Sequence, residues 1–239
     1  MTKQNIYQNE KFYDGYLKIR QKPDNYNELI ESPHIHRLLN KNYKHSLDLG
    51  CGFGFYSIYL ANKGSKVLAV DLSEKMIAAA KNENNHPNIS YMCNSIEDFN
   101  YKEESYDLVL STLALHYVKD IDPVIKNIYK SLKQKGEFVF SIEHPATRAS
   151  KKVSWIIEND KKYWPISDYF IRGKRVEKWI IENVVKYHRT ISDYFYLLKN
   201  NGFTVSDILE SEPLGEAKKL CPNSIHRPAF MIFKAIKNN

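Results

Sequence analysis

The most constraining feature of this sequence is the alternation of short apolar runs with helical patterns between residues 46 and 142. A short apolar run bounded by turn residues predicts a buried strand, and apolar residues three or four positions apart predict a helix. Strands that alternate with helices in this way are parallel and joined by right-handed crossovers. We therefore predict an α/β fold with a doubly wound sheet. Its first five strands are predicted at 46–49, 66–70, 89–92, 106–110 and 137–142.

The pattern changes after residue 144, where an aromatic-rich stretch holds all three tryptophans of the chain. We interpret residues 145–189 as an inserted cap, in which 175–180 and 184–188 alternate like the two strands of a hairpin. A last helix is predicted at 192–201. Two final strands, at 204–209 and 230–235, are predicted to lie at one edge of the sheet.

Three glycines, Gly50, Gly52 and Gly54, stand between the first predicted strand and the first helix after it. Such a turn lets the backbone approach a ligand closely and aims the helix N-terminus at it. Asp71 ends the next strand, where a carboxylate can accept hydrogen bonds from both hydroxyls of a ribose. The dinucleotide fingerprint has a wider third glycine spacing. An NAD-dependent oxidoreductase is therefore a disfavoured alternative.

The stretch 47–54, which reads LDLGCGFG, resembles motif I of the class I S-adenosylmethionine-dependent methyltransferases. The stretch 70–73, VDLS, resembles their second motif, and the resemblance continues in order through 95–99, 106–116 and 132–137. It covers about residues 30–145. Beyond it, IEHP at 142–145 and YHRT at 187–190 resemble a subset of small-molecule methyltransferases.

The resemblance implies a Rossmann-like fold, with one methyltransferase domain over residues 1–239. The expected sheet has seven strands in the order 3-2-1-4-5-7-6, with strand 7 antiparallel. S-adenosylmethionine is the implied cofactor, and residues 1–31 are implied to form an N-terminal lid over it. By this resemblance, Asp71 binds the ribose, and Leu72, Met76 and Ile96 pack against the adenine. Plain core packing is the alternative for these three apolar residues. The full set of implied cofactor residues is Tyr16, Arg20, Asp48, Gly50, Cys51, Gly52, Gly54, Asp71, Leu72, Met76, Asn94, Ser95, Ile96, Ser111 and Leu113.

A sulfonium cofactor brings its own activated methyl group, so the protein must mainly align a nucleophile and exclude water. Alignment supplies about 7–11 kcal/mol, against about 3–5 kcal/mol from general acid–base help. A general base is therefore optional. We expect His144 and His188 to face the transferred methyl as the catalytic candidates, with His116 as a third. A purely structural role is the alternative for each.

The substrate hypothesis is methyl transfer to a small organic acceptor through nitrogen or oxygen. Enzymes of this fold that methylate nucleic-acid amino groups commonly carry an Asn/Asp-Pro-Pro-Tyr type motif after the fourth strand, where this chain reads LSTL at 110–113. Nucleic acid is thereby disfavoured as a partner. An RNA methyltransferase stays open as the alternative, because residues 151–239 hold 16 Lys and Arg against 10 Asp and Glu.

Composition and local pattern exclude other classes of protein. With 43% hydrophobic residues the chain is too apolar to be disordered. The first twenty residues lack a signal-peptide apolar stretch, and the longest apolar runs are too short to span a membrane. Three scattered cysteines indicate neither a disulfide framework nor a zinc site. We therefore expect a cytoplasmic protein with no metal, and the oligomeric state stays open.

Overall fold

A computed structural model of the protein describes residues 4–150 and 154–238. Its centre is a sheet of seven strands. The first five strands of the chain form four pairs within this sheet, and all four pairs are parallel. In chain order, the strands of the described residues are β1 (His45–Leu49), β2 (Lys66–Asp71), β3 (Ile89–Cys93), β4 (Tyr106–Thr112), β5 (Leu132–Glu143), β6 (Ile156–Glu158), β7 (Lys161–Tyr163), β8 (Gly173–Trp179), β9 (Ile181–His188), β10 (Phe203–Glu210) and β11 (Phe230–Lys237).

The order across the seven-stranded sheet is β10-β11-β5-β4-β1-β2-β3. Strand β11 runs antiparallel to both of its neighbours, β5 and β10. The predicted strand order and the antiparallel seventh strand are therefore confirmed. Because β1 has β4 on one side and β2 on the other, the strand order reverses at β1, and a crevice is expected there at the carboxyl ends of the strands.

Helices cover both faces of this sheet, and two of them show why they begin where they do. The Ser73 hydroxyl accepts a hydrogen bond from the Met76 amide, which caps the helix Glu74–Glu83. Thr190 and Asp193 form a reciprocal capping box at the start of the helix Ile191–Asn200. The α-helices are α1 (Glu10–Arg20), α2 (Ser32–Leu38), α3 (Phe55–Asn62), α4 (Glu74–Glu83), α5 (Asp122–Ser131), α6 (Pro145–Arg148), α7 (Ile191–Asn200) and α8 (Ala217–Leu220).

Helix α5 ends earlier than its sequence suggests. The pattern predicts a helix that closes near Gly136, but the helix ends at Ser131 and β5 starts at Leu132. Leu132 is fully buried in the main core cluster and pairs with Tyr106 of β4. Pairing of Leu132 with β4 therefore replaces the further helical turn that the sequence pattern predicts.

The stretch interpreted as a cap contains α6, the β6–β7 pair and the β8–β9 hairpin, and its residues 151–153 lie outside the described part. The hairpin predicted at 175–180 and 184–188 is confirmed by the β8–β9 pairing. Helix α1 packs on this hairpin, since the Phe12 and Trp179 rings meet edge to face at 5.1 Å. The N-terminal segment and the hairpin thus form one layer at the carboxyl edge of the sheet; residues 1–3 of the expected lid lie outside the described residues.

At the opposite edge of the sheet, Glu137 is buried among polar partners. Its carboxylate accepts a hydrogen bond from Tyr43 at 2.6 Å and lies 2.9 Å from the Lys234 ammonium and 2.5 Å from that of Lys41. Burial opposes ionisation, but these partners outweigh it and hold the pKa of Glu137 below its usual value. The stabilisation is therefore present at neutral pH and is lost as the pH falls through this lowered pKa.

We expect Glu137→Ala to lower the free energy of unfolding at pH 7 by about 3–5 kcal/mol, because it leaves the Lys234 ammonium buried without its counter-charge. Urea denaturation measures this loss. Glu103→Ala, which removes an exposed carboxylate, is the matched control and should change stability by less than about 0.5 kcal/mol. Equal losses in the two variants would contradict the role given to Glu137.

Candidate active site

The glycine turn that follows β1 is tied to the end of β2 by its backbone. The amides of Gly50 and Cys51 both donate to the carbonyl of Val70, at 2.8 and 3.0 Å. Gly50, Gly52 and Gly54 all have positive φ, at 74°, 54° and 78°. Side chains disfavour this conformation, so the path of the turn requires glycine at these positions.

The three glycines differ in what surrounds them. A Cβ at Gly50 would lie 2.5 Å from the Ala114 Cβ, and one at Gly54 would lie 2.5 Å from the Tyr91 hydroxyl. A Cβ at Gly52 would meet no protein atom within 4 Å. Gly50 and Gly54 are thus required for packing, whereas Gly52 borders open space that a ligand can enter.

Asp71 joins the turn to the first residues after β2. One carboxylate oxygen accepts from the Gly52 amide at 2.9 Å, and the other accepts from the Ser73 amide at 2.9 Å. Burial raises the pKa of Asp71, and these two amides oppose that rise. Each oxygen keeps a second lone pair, so the carboxylate can accept two further hydrogen bonds, the number that a ribose diol donates.

Two adjoining cavities lie along the carboxyl edge of the sheet, and together we call them the cofactor cleft. One, of about 110 Å³, is lined by the glycine turn and the N-terminal segment; the other, of about 370 Å³, extends past Leu72 and Ile96. Asp71, Gly50 and Tyr117 line both. Of the residues proposed from the sequence, those that line the cleft are Tyr16, Arg20, Gly50, Cys51, Gly52, Asp71, Leu72, Met76, Ser95, Ile96 and Leu113.

Four residues of the proposed set do not line the cleft. Asp48 is buried below the turn, where it accepts a hydrogen bond from Ser57 at 2.6 Å and where burial raises its pKa to about 7. The Ser111 hydroxyl donates to the Leu49 carbonyl at 2.9 Å. The Asn94 side chain accepts from the Ser95 amide at 2.8 Å. Gly54 packs on Tyr91. All four residues thus contact neighbouring protein groups and not the cleft.

Glu31 is a cleft residue that the sequence did not reveal. It is buried, lines the same cavity as Arg20, and accepts a hydrogen bond from the Ser141 hydroxyl. Burial raises the pKa of Glu31 to about 7, although Ser141 and Arg20 act in the opposite direction. It stands just before the Ser32-Pro33 helix start in a segment without a recognisable motif, so its role is a product of the tertiary fold.

Leu113 forms the boundary between the cofactor cleft and a third cavity. Its φ of 52° is unusual for a residue with a side chain. The Leu113 amide donates to both the carbonyl and the hydroxyl oxygen of Ser141, at 3.1 and 3.0 Å. Since the Ser141 hydroxyl in turn donates to Glu31, the strained residue is held by a continuous hydrogen-bonded chain.

The third cavity, of about 310 Å³, is called the acceptor cavity below, after the role that we propose for it. It adjoins the smaller part of the cofactor cleft, because the two share five lining residues: Tyr7, Tyr16, Asn27, Leu113 and Tyr117. Tyr7 and Tyr117 were not expected from the sequence. Their rings meet edge to face at 6.5 Å and bring the N-terminal segment against the chain that follows β4.

A largely buried set of four charges, called the charged wall below, borders the acceptor cavity through Glu143 and Arg148, the two members that line it. One Glu143 oxygen accepts from Arg148 at 2.8 Å and from Lys186 at 2.9 Å. Arg148 and Lys186 also both contact Glu177. Burial opposes ionisation of Glu143, but the charges of Arg148 and Lys186 outweigh it and hold its pKa below the usual range. The four charges cancel within this wall.

His116 reaches the same cavity from the chain after β4. Burial lowers the pKa of His116 to about 3, and the nearby Glu143 only partly offsets this. The imidazole is therefore neutral at physiological pH. Its Nδ1 is buried without a hydrogen-bond partner in the described part of the chain, which is unusual for a buried polar atom.

The structure does not bring His144 and His188 to the position expected for them. The Nδ1 of His144 accepts from the Ala146 amide, so the neutral ring carries its proton on Nε2, which donates to Glu210 at 2.8 Å. The Nε2 of His188 donates to the Tyr169 carbonyl at 2.8 Å. Neither residue lines the cofactor cleft or the acceptor cavity. The ring nitrogens contact Glu210, Ala146 and Tyr169 instead, so neither imidazole lies where the sequence predicts it.

Comparison with known proteins agrees with this architecture. The profile of a family described as Methyltransferase domain matches residues 47–140. An uncharacterised protein of Haemophilus influenzae is 31% identical over 251 aligned positions, which span 99% of this chain and 98% of that protein. A crystal structure of an S-adenosylmethionine-dependent methyltransferase from Mesorhizobium loti is 32% identical, with a TM-score of 0.82, over 87% of this chain and 97% of that one.

A ubiquinone biosynthesis O-methyltransferase of Coxiella burnetii is 35% identical over 114 residues, which are 47% of this chain and 49% of that protein. This chain therefore aligns with about half of that relative. Taken with the full-length matches, the chain belongs to the class I S-adenosylmethionine-dependent methyltransferases, and S-adenosylmethionine is its cofactor. None of the helices among the described residues is long and apolar enough to cross a membrane.

The open space at Gly52 leads to a test of the cleft. We expect Gly52→Ala to abolish binding of S-adenosylhomocysteine in calorimetry, because the added methyl group enters the space next to Asp71. Gly64→Ala is the matched control, since Gly64 also has a positive φ and open surroundings but lies after α3, away from the cleft. Both variants should lose about 1–2 kcal/mol of stability. Unchanged affinity in Gly52→Ala would show that the ligand does not approach this turn.

Proposed function

We propose that this methyltransferase transfers the methyl group to a nitrogen or oxygen atom of a small organic acceptor. The observation that carries the proposal is the acceptor cavity, which meets the cofactor cleft at Leu113 and Tyr117. Its volume of about 310 Å³ suits a small molecule. The N-terminal segment and the β8–β9 hairpin form its outer wall through Tyr7, Tyr16 and Trp179, in keeping with their interpretation as lid and cap.

The cofactor residues divide by chemistry. Leu72 and Ile96 offer apolar surface for the adenine, and Asp71 offers free lone pairs to the ribose. At the other end, Arg20 suits the methionine carboxylate and Glu31 its ammonium group, since both line the smaller cavity. When bound, S-adenosylmethionine supplies an activated methyl group attached to a positively charged sulfur.

Alignment, rather than proton transfer, dominates the proposed catalysis. The neutral His116 has a pKa of about 3, far below the value near 7 that suits a general base. Glu143 is held ionised by two cations and is a weaker base still. Both side chains can orient the acceptor by hydrogen bonds, and the enclosing tyrosines exclude water. Positioning alone can supply about 7–11 kcal/mol of the barrier reduction.

Three basic residues of the C-terminal part support a small molecule over RNA. The Arg175 guanidinium donates to the carbonyls of Ala149 and Ile171, at 2.8 and 2.6 Å. Arg172 pairs with Asp193 at 3.0 Å, and Lys186 pairs with Glu143 at 2.9 Å in the charged wall. These three cations already have partners within the fold, so they are not available to bind phosphates. The name of the Coxiella relative, an O-methyltransferase of ubiquinone biosynthesis, also favours a small acceptor.

Transfer of a tritium label from S-adenosylmethionine tests the proposal. The protein is incubated separately with a low-molecular-weight metabolite fraction and with total RNA from the same cells. We expect label in the small-molecule fraction only, and we expect NAD to give no binding heat in calorimetry. Label in RNA, with a gel shift that weakens steeply as salt is raised, would instead favour the RNA methyltransferase.

Removal of the Glu31 charge should weaken ligand binding and stabilise the protein without ligand. We expect Glu31→Gln to weaken binding of S-adenosylhomocysteine at pH 8 by about tenfold or more, because it removes the charge that attracts the ammonium group. In the parent protein, affinity should fall about tenfold between pH 8 and pH 6, as a carboxyl with a pKa of about 7 gains its proton. This pH dependence should disappear in Glu31→Gln.

The same variant should be more stable without ligand. A carboxyl whose pKa is raised in the folded state loses stability as the pH rises from its unfolded pKa to its folded pKa, here from 4.5 to about 7. At pH 8 we therefore expect Glu31→Gln to raise the free energy of unfolding by up to about 3 kcal/mol. Glu28→Gln, which alters an exposed carboxylate 3.8 Å from Arg20, is the control and should change neither property strongly. Loss of stability in Glu31→Gln would contradict the account.

A further inference from the structure

We propose that the acceptor carries a carboxylate group, which Arg227 binds inside the acceptor cavity. The inference rests on the proposed function, since it concerns the substrate class of the same site.

Arg227 lines the acceptor cavity with an unused guanidinium group. Its Cζ lies 4.2 Å from the centre of the Trp164 ring and 5.7 Å from that of Trp155. Within the described residues, no hydrogen bond is made by any of its five N–H groups, and its Nε is buried without a partner. No carboxylate of the described chain lies within ion-pair distance of it. Arginines that line a cavity normally have such partners, so this guanidinium is available to a ligand.

The other charges of the cavity are balanced without Arg227. Arg148 and Lys186 are neutralised by Glu143 and Glu177 in the wall already described. Lys22 and Asp24, which also line the cavity, are exposed and opposite in sign. His116 is neutral. One positive charge is therefore left over, and it is the charge of Arg227.

The surroundings of Arg227 destabilise its charged form when no anion is bound. Burial lowers the pKa of Arg227, and the nearby positive charge of Arg148 lowers it further. An arginine stays protonated under these conditions. A bound carboxylate would supply the missing counter-charge in a partly desolvated place, where a charge-assisted hydrogen bond is about twice as strong as a neutral one.

The geometry favours a carboxylate over a phosphate monoester. The Arg227 Cζ lies 4.2 Å from the centre of the Trp164 ring, and a guanidinium donates its N–H groups in its own plane, the arrangement that a planar carboxylate accepts. One uncompensated charge matches one carboxylate, whereas a phosphate monoester carries about −1.5 to −2 at pH 7.

The position of Arg227 separates recognition from reaction. Leu113, Tyr16 and Tyr117 line both the acceptor cavity and the cofactor cleft, but Arg227 lines the acceptor cavity and does not line the cleft. A carboxylate on Arg227 is thus held away from the boundary at which the methyl group is delivered. The atom that receives the methyl group therefore belongs to a second group of the same molecule, and the carboxylate itself is left unmethylated.

Calorimetry on the protein saturated with S-adenosylhomocysteine tests the proposal, since saturation keeps Arg20 from binding the probes. The probes are acetate, succinate and benzoate, each compared with its neutral amide, and inorganic phosphate. We expect at least one carboxylate to bind with a Kd in the millimolar range or below, at least about tenfold tighter than its amide and tighter than phosphate. Absence of binding by all three acids, or equal affinity for acid and amide, would overturn the proposal.

Arg227→Gln should lower the affinity for that carboxylate at least about tenfold, while the affinity for S-adenosylhomocysteine stays unchanged. Arg37→Gln, which removes an exposed arginine of α2, is the charge-matched control and should leave the carboxylate affinity at the parent value. Carboxylate binding that survives in Arg227→Gln, or is lost equally in Arg37→Gln, would contradict the assignment. If no carboxylate binds but label is still transferred to small molecules, only the proposal of a carboxylate-bearing acceptor is refuted. Label in RNA would instead refute the proposed function.

Discussion

The attachment of the glycine turn to the end of β2 is the constraint on which the rest of the site depends. The Gly50 and Cys51 amides donate to the Val70 carbonyl, and the Gly52 amide donates to the Asp71 carboxylate. Two neighbouring parallel strands are thereby locked together at the edge where ligands bind. The open face of Gly52 and the free lone pairs of Asp71 then lie next to each other without further adjustment, so the cleft is preformed by the fold.

Most of the buried charges near the acceptor cavity are paired or neutralised. The wall built from Glu143, Arg148, Glu177 and Lys186 is neutral as a whole, and burial keeps His116 uncharged. Among the described residues, Glu31 in the cofactor cleft and Arg227 in the acceptor cavity have no ion-pair partner. An unbalanced buried charge costs folding free energy. We therefore interpret both as groups that ligands complete.

Much of the fold could be predicted because it follows from local pattern. The strand–glycine–helix order around Gly50 and the acid at the end of β2 sit close together in sequence, so spacing alone located them. The seven-stranded order followed from the family resemblance and is confirmed. The error at the end of α5 arose because pairing of Leu132 with β4, a tertiary effect, ended the helix before its glycine.

The acceptor side was harder to foresee for a physical reason. His144 does follow β5 directly, but the pairing of β5, β11 and β10 brings Glu210 to its ring, a contact across 66 positions. Glu31, Tyr7 and Arg227 come from the two ends of the chain and carry no motif, so only the folded structure brings them to the same site.

The most direct measurement is a crystal structure of the protein with S-adenosylhomocysteine. We expect the ribose hydroxyls on Asp71, the amino-acid end between Arg20 and Glu31, and the sulfur facing the boundary formed by Leu113 and Tyr117, with the acceptor cavity on its far side. A ligand bound in the opposite direction, or with its sulfur turned away from the acceptor cavity, would contradict the proposed function of the two cavities.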